Sequence, residues 1–90
     1  MRLDVFLKLS RLIPRRTLAQ EFCDAGRIKV NGTKAKSSKD IRIGDEIAII
    51  RSKRKTVVRV DSVPDKKQLS TELAGELYSV LSEEIAEDLT

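Results

Sequence analysis

The side chains of this protein that could do chemistry are overwhelmingly cationic, and they fall into three clusters. Lys8, Arg11, Arg15 and Arg16 form the first, Arg27, Lys29, Lys34 and Lys36 the second, and Arg51, Lys53, Arg54 and Lys55 the third. Such clusters serve polyanion binding: they displace condensed counterions from a nucleic-acid backbone and steer it in from a distance. Arginine leads the first cluster, and its planar fork matches the geometry of a phosphate. Arg15 and Arg16 stand at the start of an expected helix. Its free N–H groups favour an anion there, whereas cationic side chains oppose the helix dipole. A helix start built for a phosphate would show that conflict. The third cluster packs four cations into residues 51–55, which repel one another unless a counter-charge lies nearby.

Composition argues against the other chemistries. The chain has no histidine, the commonest general base and metal ligand. Its one cysteine, Cys23, cannot form an intrachain disulfide or a zinc site of the usual ligand count, and its apolar surroundings make it a small buried hydrophobe. The four glycines are isolated, at 26, 32, 44 and 75, so no phosphate-cradling glycine loop exists. No catalytic residue, metal or cofactor is expected. The longest apolar run, Ile47 to Ile50, is four residues, against the roughly 20 a membrane span needs. Charges at Arg2, Asp4, Lys8 and Arg11 interrupt the opening where a signal peptide would be apolar. A cytoplasmic protein without membrane contact, acting as a monomer, is expected. The three aromatics, Phe6, Phe22 and Tyr78, lie outside the basic clusters. Single-strand readers stack bases on aromatic platforms, so the expected ligand is a structured backbone.

The net charge of +4 is unevenly spread. Residues 1–63 hold 16 Lys and Arg against 7 Asp and Glu, whereas residues 64–90 hold 2 against 7. A basic domain over 1–63, a polar linker over 64–70 and an acidic tail over 71–90 follow.

The elements that must position the clusters are short. Leu3, Val5, Phe6, Leu7, Leu9, Leu12 and Ile13 fill one arc of a helix over 3–13, with Asp4, Lys8 and Arg11 opposite. Asp4 and Lys8 have the spacing of a favourable i, i+4 pair. Pro14 disfavours helix at Ile13. A second helix over about 15–25 carries the stripe Leu18, Ala19, Phe22 and Cys23, and Gly26 stands where a left-handed cap belongs. Neither helix is stable alone, so the pair must pack on something. Ile28 and Val30 alternate with Arg27 and Lys29 as a strand, Asn31-Gly32 turns the chain, and Thr33 to Lys36 returns. Gly44-Asp45 precedes a strand over 46–51, residues 52–55 read as a loop, and a last strand holds Val58 and Val60. The fold class is therefore α+β, a helix hairpin on a small, mainly antiparallel sheet of four or five strands. In the tail, Leu73, Leu77, Val80, Leu81 and Ile85 share one helical arc opposite Glu72, Glu76, Glu83 and Glu87, which predicts an acidic amphipathic helix.

Arg2-Leu3-Asp4, Arg16, Ala19, Gly26, Ile28, Val30-Asn31-Gly32 and Gly44-Asp45 stand in the order and spacing of the S4-type RNA-binding domain, or αL motif. The resemblance covers about residues 1–50. It implies a helix hairpin on a small sheet that docks on structured RNA, usually rRNA or tRNA. The RNA contacts would fall on Arg2, Arg11, Arg16 and the basic residues from Gly26 to Lys34. One departure concerns the residue before Arg16: the family often has a capping serine there, and this chain has Arg15. The opening MRLDVFLKLSRLIPRRTLA and the tail ELYSVLSEE look especially like the free-standing RqcP (YabO) family. That likeness implies binding to rRNA of a split large ribosomal subunit carrying peptidyl-tRNA, in support of an RqcH-type factor that adds an untemplated alanine tail. A related heat-shock-type branch implies a ribosome-recycling role. Recruitment of a protein partner by the acidic helix is the reading from a different class.

Overall fold

The sheet is antiparallel throughout. Its strands are β1 (Ile28–Val30), β2 (Thr33–Lys34), β3 (Glu46–Arg51), β4 (Arg54–Val60) and β5 (Tyr78–Ile85), in the spatial order β2-β1-β3-β4-β5. The structure is a computed structural model that describes residues 1–64 and 71–85. Helices α1 (Leu3–Leu9) and α2 (Arg16–Asp24) form the hairpin, and a single turn, α3 (Thr71–Gly75), precedes β5. Among the described residues no helix is long and apolar enough to cross a membrane.

The core lies between the helix hairpin and one face of the sheet. Leu3, Phe6, Leu7 and Ile13 meet Ile28, Ile41, Ile47, Val58 and Val60, all fully or almost fully buried. Alternation does the sorting in the strands: Ile28 and Val30 are buried in β1, and Ile47 and Ile49 in β3. Asn31 and Gly32 both have positive φ, 51° and 84°, as the turn between β1 and β2 demands.

The first helix is shorter than its apolar pattern. It stops at Leu9 because Ser10 caps it, with its Oγ on the Leu7 carbonyl, and Arg11 turns left-handed at φ 62°. The reversal still delivers Ile13 to the core, where its N–H reaches the Leu7 carbonyl at 3.1 Å. The return strand ends at Lys34 rather than Lys36, and the expected loop at 52–55 is only a two-residue turn, since β4 begins at Arg54.

The tail corrects the expected acidic helix. Among the described residues of the tail only Thr71–Gly75 is helical, and Tyr78–Ile85 is a strand paired with β4 from end to end. The helical spacing of Leu77, Val80, Leu81 and Ile85 is real in the sequence, yet only Leu77 of these is buried. What decides the matter is non-local: β4 would otherwise end the sheet with unpaired N–H and C=O groups, and β5 satisfies them. Leu81 is the extra residue of an irregularity opposite Val57 and Val58. The entry of the strand is held by Leu77, whose carbonyl accepts from the Asp61 and Ser62 N–H groups, and by Ser79 Oγ, which donates to the Asp61 carboxylate. The linker expected at 64–70 falls, apart from Pro64, outside the described residues, as do residues 86–90.

Candidate nucleic-acid interface

Asp4 organises the basic surface from beneath. Its side chain is fully buried, although a helical wheel places it with Lys8 and Arg11. The expected Asp4–Lys8 pair gives way to a cage of donors. Arg2 Nε reaches Oδ1 and Arg2 Nη2 reaches Oδ2, both at 3.2 Å. Arg16 Nε donates to Oδ2 at 3.1 Å and Gln20 Nε2 to the same oxygen at 2.9 Å. The Val5 N–H completes the set on Oδ1 at 2.8 Å. One carboxylate thus brings together residues separated in sequence, the start of α1 and the first two turns of α2. Both guanidinium groups stay about half exposed, at 47% and 48%.

Burial by itself would raise the Asp4 carboxyl. The hydrogen bonds from Gln20, Arg16 and Arg2, with the Arg16 charge, outweigh it and hold the group below its ordinary value of 3.8. A native value below the unfolded one gives a contribution to stability that is complete above about pH 4 and disappears as the pH falls through the native value. Denaturant unfolding at a series of pH values is expected to show wild type losing its advantage over Asp4→Asn as the pH drops below about 4. A gap between the two that stays constant from pH 7 to pH 2.5 would count against this reading.

The local backbone prepares the cage. The Leu3 and Asp4 N–H groups, orphans of the first turn of α1, donate to the Lys39 and Ser37 carbonyls, so the loop after β2 caps the helix. The same loop is fastened by the Met1 ammonium on Asp40 at 2.9 Å, which with Arg42 holds the Asp40 carboxyl below its usual range. Helix α2 starts differently. Arg15 is its N-cap in an extended conformation with no side-chain cap, as expected from the missing serine.

The second cluster straddles α2 and the first two strands. Lys29 and Lys34 are cross-strand partners in β1 and β2. The Lys34 side chain lies over Gly26, where an added Cβ would stand 3.2 Å from its Cε. Gly26 has φ 73°, the left-handed cap that turns α2 into β1. Lys34 and Lys36 border a shallow hollow with Asp24 and Gly26. Arg27 sits over the Phe22 ring, 5.6 Å from its centroid. Contrary to expectation, then, one aromatic does border a basic residue, but that face of the ring is covered by a guanidinium rather than open to a base. Lys8, Arg11 and Arg15 are exposed around the bend between the helices.

The third cluster is tied into the protein at several points. Arg51 Nη2 donates to the Leu12 carbonyl, tying the end of β3 to the helix bend. Arg54 pairs with Glu83 at 3.2 Å, and Lys55 stands opposite Glu84 across β4 and β5. Lys53 is exposed in the turn between β3 and β4.

Asp4 and Gln20 are what sequence reasoning missed. A signal existed for Asp4: about 60° separates it from Leu7 on the wheel, so it borders the apolar arc. Gln20 carried none, because its role depends on how the two helices meet. Cys23 is buried as expected. Burial, together with the Asp4 and Asp24 charges, pushes its thiol up to about 11, which keeps it protonated at neutral pH. Among the described residues no group of three or more acids and cysteines could hold a metal ion.

A helix hairpin on a five-stranded antiparallel sheet, with paired arginines held outward at the hairpin, defines a small basic α+β docking module. The S4 domain model matches residues 1–47. The chain is 46% identical over 84 residues to the RQC P-site tRNA stabilizing factor of Bacillus subtilis, covering 93% of this chain and 95% of that one. It is 48% identical over 84 residues to the factor of the same name from Halalkalibacterium halodurans, covering 93% of each. Among solved structures, the trimeric heat shock protein 15 of Vibrio cholerae superposes with a TM-score of 0.82 at 27% identity, over 91% of this chain and 82% of that one. The chain belongs to the S4 domain family, in the branch of the RQC P-site tRNA stabilizing factors.

Proposed function

We propose that this protein is a non-catalytic RNA-binding factor of ribosome-associated quality control. It binds the large ribosomal subunit through rRNA and peptidyl-tRNA, and it supports an RqcH-type factor in adding alanine tails to stalled chains. The observation that carries this reading is the pair of guanidinium groups fixed on buried Asp4, in a chain alike over nearly its whole length to factors named for stabilising P-site tRNA. Arg16 gives its Nε to Asp4, which leaves its two Nη groups for a phosphate. Because the carboxylate already holds the guanidinium groups in place, binding need not order them, and that lowers its entropic cost. Lys8, Arg11 and Arg15 extend this surface along the bend, and Arg27, Lys29, Lys34 and Lys36 extend it beyond α2. No step of bond making is assigned to any residue.

Arg16→Gln keeps a neutral donor beside Asp4 and removes the charge. It is expected to lose co-sedimentation with tRNA-bearing large subunits, by at least tenfold in affinity, while wild type stays bound. Undiminished binding by a folded Arg16→Gln protein would remove the hairpin from the RNA surface. The likeness to the heat shock protein 15 fold favours a second reading, heat-shock-type ribosome recycling. Dependence on P-site tRNA separates the two: the quality-control role requires subunits that carry it, and binding indifferent to the tRNA supports recycling. The third idea, an acidic helix recruiting a protein, loses its helix, because residues 78–85 form a strand.

A further inference from the structure

We propose that the tip of the β3–β4 hairpin, Lys53, Arg54 and Lys55, is a second RNA phosphate-binding subsite, and that Glu83 and Glu84 of β5 are its displaceable internal counter-charges. The inference rests on the RNA-binding reading above and adds a competition to it: RNA and the protein's own tail contend for the same cations.

Arg51 reaches from the end of β3 to the Leu12 carbonyl, so the hairpin tip lies within one arginine side chain of the bend flanked by Arg11 and Arg15. A backbone that tracks the bend can therefore continue onto the tip. The turn is tight: Arg51 and Arg54 are direct partners, Ser52 takes φ 46°, and Lys53 is presented to solvent. The hollow beside the turn is lined by Arg51, Ser52, Lys53, Arg54 and the exposed Ile85.

Four cations over residues 51–55 need an opposite charge, and β5 delivers it by register. Glu83 meets Arg54 at 3.2 Å with both side chains about half exposed, at 46% and 56%. Glu84 is the direct cross-strand partner of Lys55, at the spacing where opposite charges attract. Residues 71–85 contain four glutamates, at 72, 76, 83 and 84, and no lysine or arginine.

Strength decides who wins. A half-exposed pair contributes little to stability and is screened by salt. A nucleic-acid backbone offers denser negative charge and gains counterion entropy for each cation that reaches it. The glutamates therefore keep the tip from binding loose anions without withholding it from a structured RNA docked on the helix hairpin. If the pairs served only to fasten β5 to β4, they would affect folding and leave RNA affinity alone.

Four full-length proteins test this: wild type, Lys53→Gln/Arg54→Gln, Glu83→Gln/Glu84→Gln and Arg16→Gln. Each is titrated with purified large ribosomal subunits carrying P-site tRNA at several KCl concentrations, and melting curves confirm that each is folded. The hairpin variant is expected to bind about three- to tenfold more weakly, with the slope of log affinity against log salt shallower by about 1.5. The glutamine-for-glutamate variant is expected to bind about two- to fivefold more tightly. Wild-type affinity and slope for the hairpin variant would overturn the subsite, and would leave its cations to an acidic protein or to β5 alone. Affinity no higher than wild type for Glu83→Gln/Glu84→Gln would overturn the competition. Unimpaired binding by Arg16→Gln would instead bring down the RNA reading on which the inference rests.

Discussion

Replacing Asp4 by alanine is expected to lower the unfolding free energy by about 2 kcal/mol, the scale of hydrogen bonds made to a charged group less the relief of no longer burying it. For a chain of this size that corresponds to a fall in Tm of roughly 8–16 °C. The loss comes from several places at once. Gln20 and the Val5 N–H lose an acceptor, the first turn of α1 loses its acid, and the hairpin loses the group that joins its two helices. Arg2 and Arg16 are half exposed and can turn to water, so the cost stays below that of stranding a fully buried charge. Ligand binding is expected to weaken as well, by more than tenfold, because both guanidinium groups become free rotors. Thermal melts and subunit binding measured on the same protein check the two parts. A protein that melts as wild type does would show that the cage contributes nothing to the fold.

Arg15 and Arg16 are adjacent and alike in charge, yet replacing them is expected to shift stability in opposite directions. Arg15→Ser supplies the oxygen that the N-cap of α2 lacks, for a gain of about 0.5–1 kcal/mol. It removes one exposed cation, and binding should weaken only severalfold. Arg16→Glu sets a second carboxylate against Asp4, so it should destabilise the fold and abolish binding together. Arg16 belongs to the hairpin's interior contacts as well as to its surface, so the reversal costs stability and binding together. Circular dichroism melts of the two variants, side by side, give the comparison. Equal shifts in the same direction would refute the assignment of cap and clamp.

What was legible in the sequence was the local part. The stripe over 15–25, the Gly26 cap and the Asn31-Gly32 turn are set by spacing and backbone freedom within a few residues, and they appear where expected. The tail departs from its local pattern for the complementary reason. Tyr78 to Ile85 has helical spacing of its apolar residues, but its state is set by the open edge of β4, whose residues pair with it across 18 to 31 positions, and by the cations at Arg54 and Lys55. The sequence leaves open whether the third cluster has a counter-charge of its own, and the strand brings Glu83 to Arg54. Asp4 failed differently: an acid beside an apolar arc reads as surface until Arg2, Arg16 and Gln20 converge on it. The clusters themselves were visible as charge. Which cations are held ready and which are already engaged depended on tertiary contacts.

If the arginine pair clamped on Asp4 faces RNA, the complex with the ribosome must show it. A cryo-EM map of the wild-type protein on a large ribosomal subunit carrying P-site tRNA tests it most directly. The start of α2 is expected against the RNA backbone, with Arg16 Nη atoms within about 3 Å of phosphate oxygens. A map in which that face is turned to solvent, with the protein held by the sheet or the tail, would contradict it.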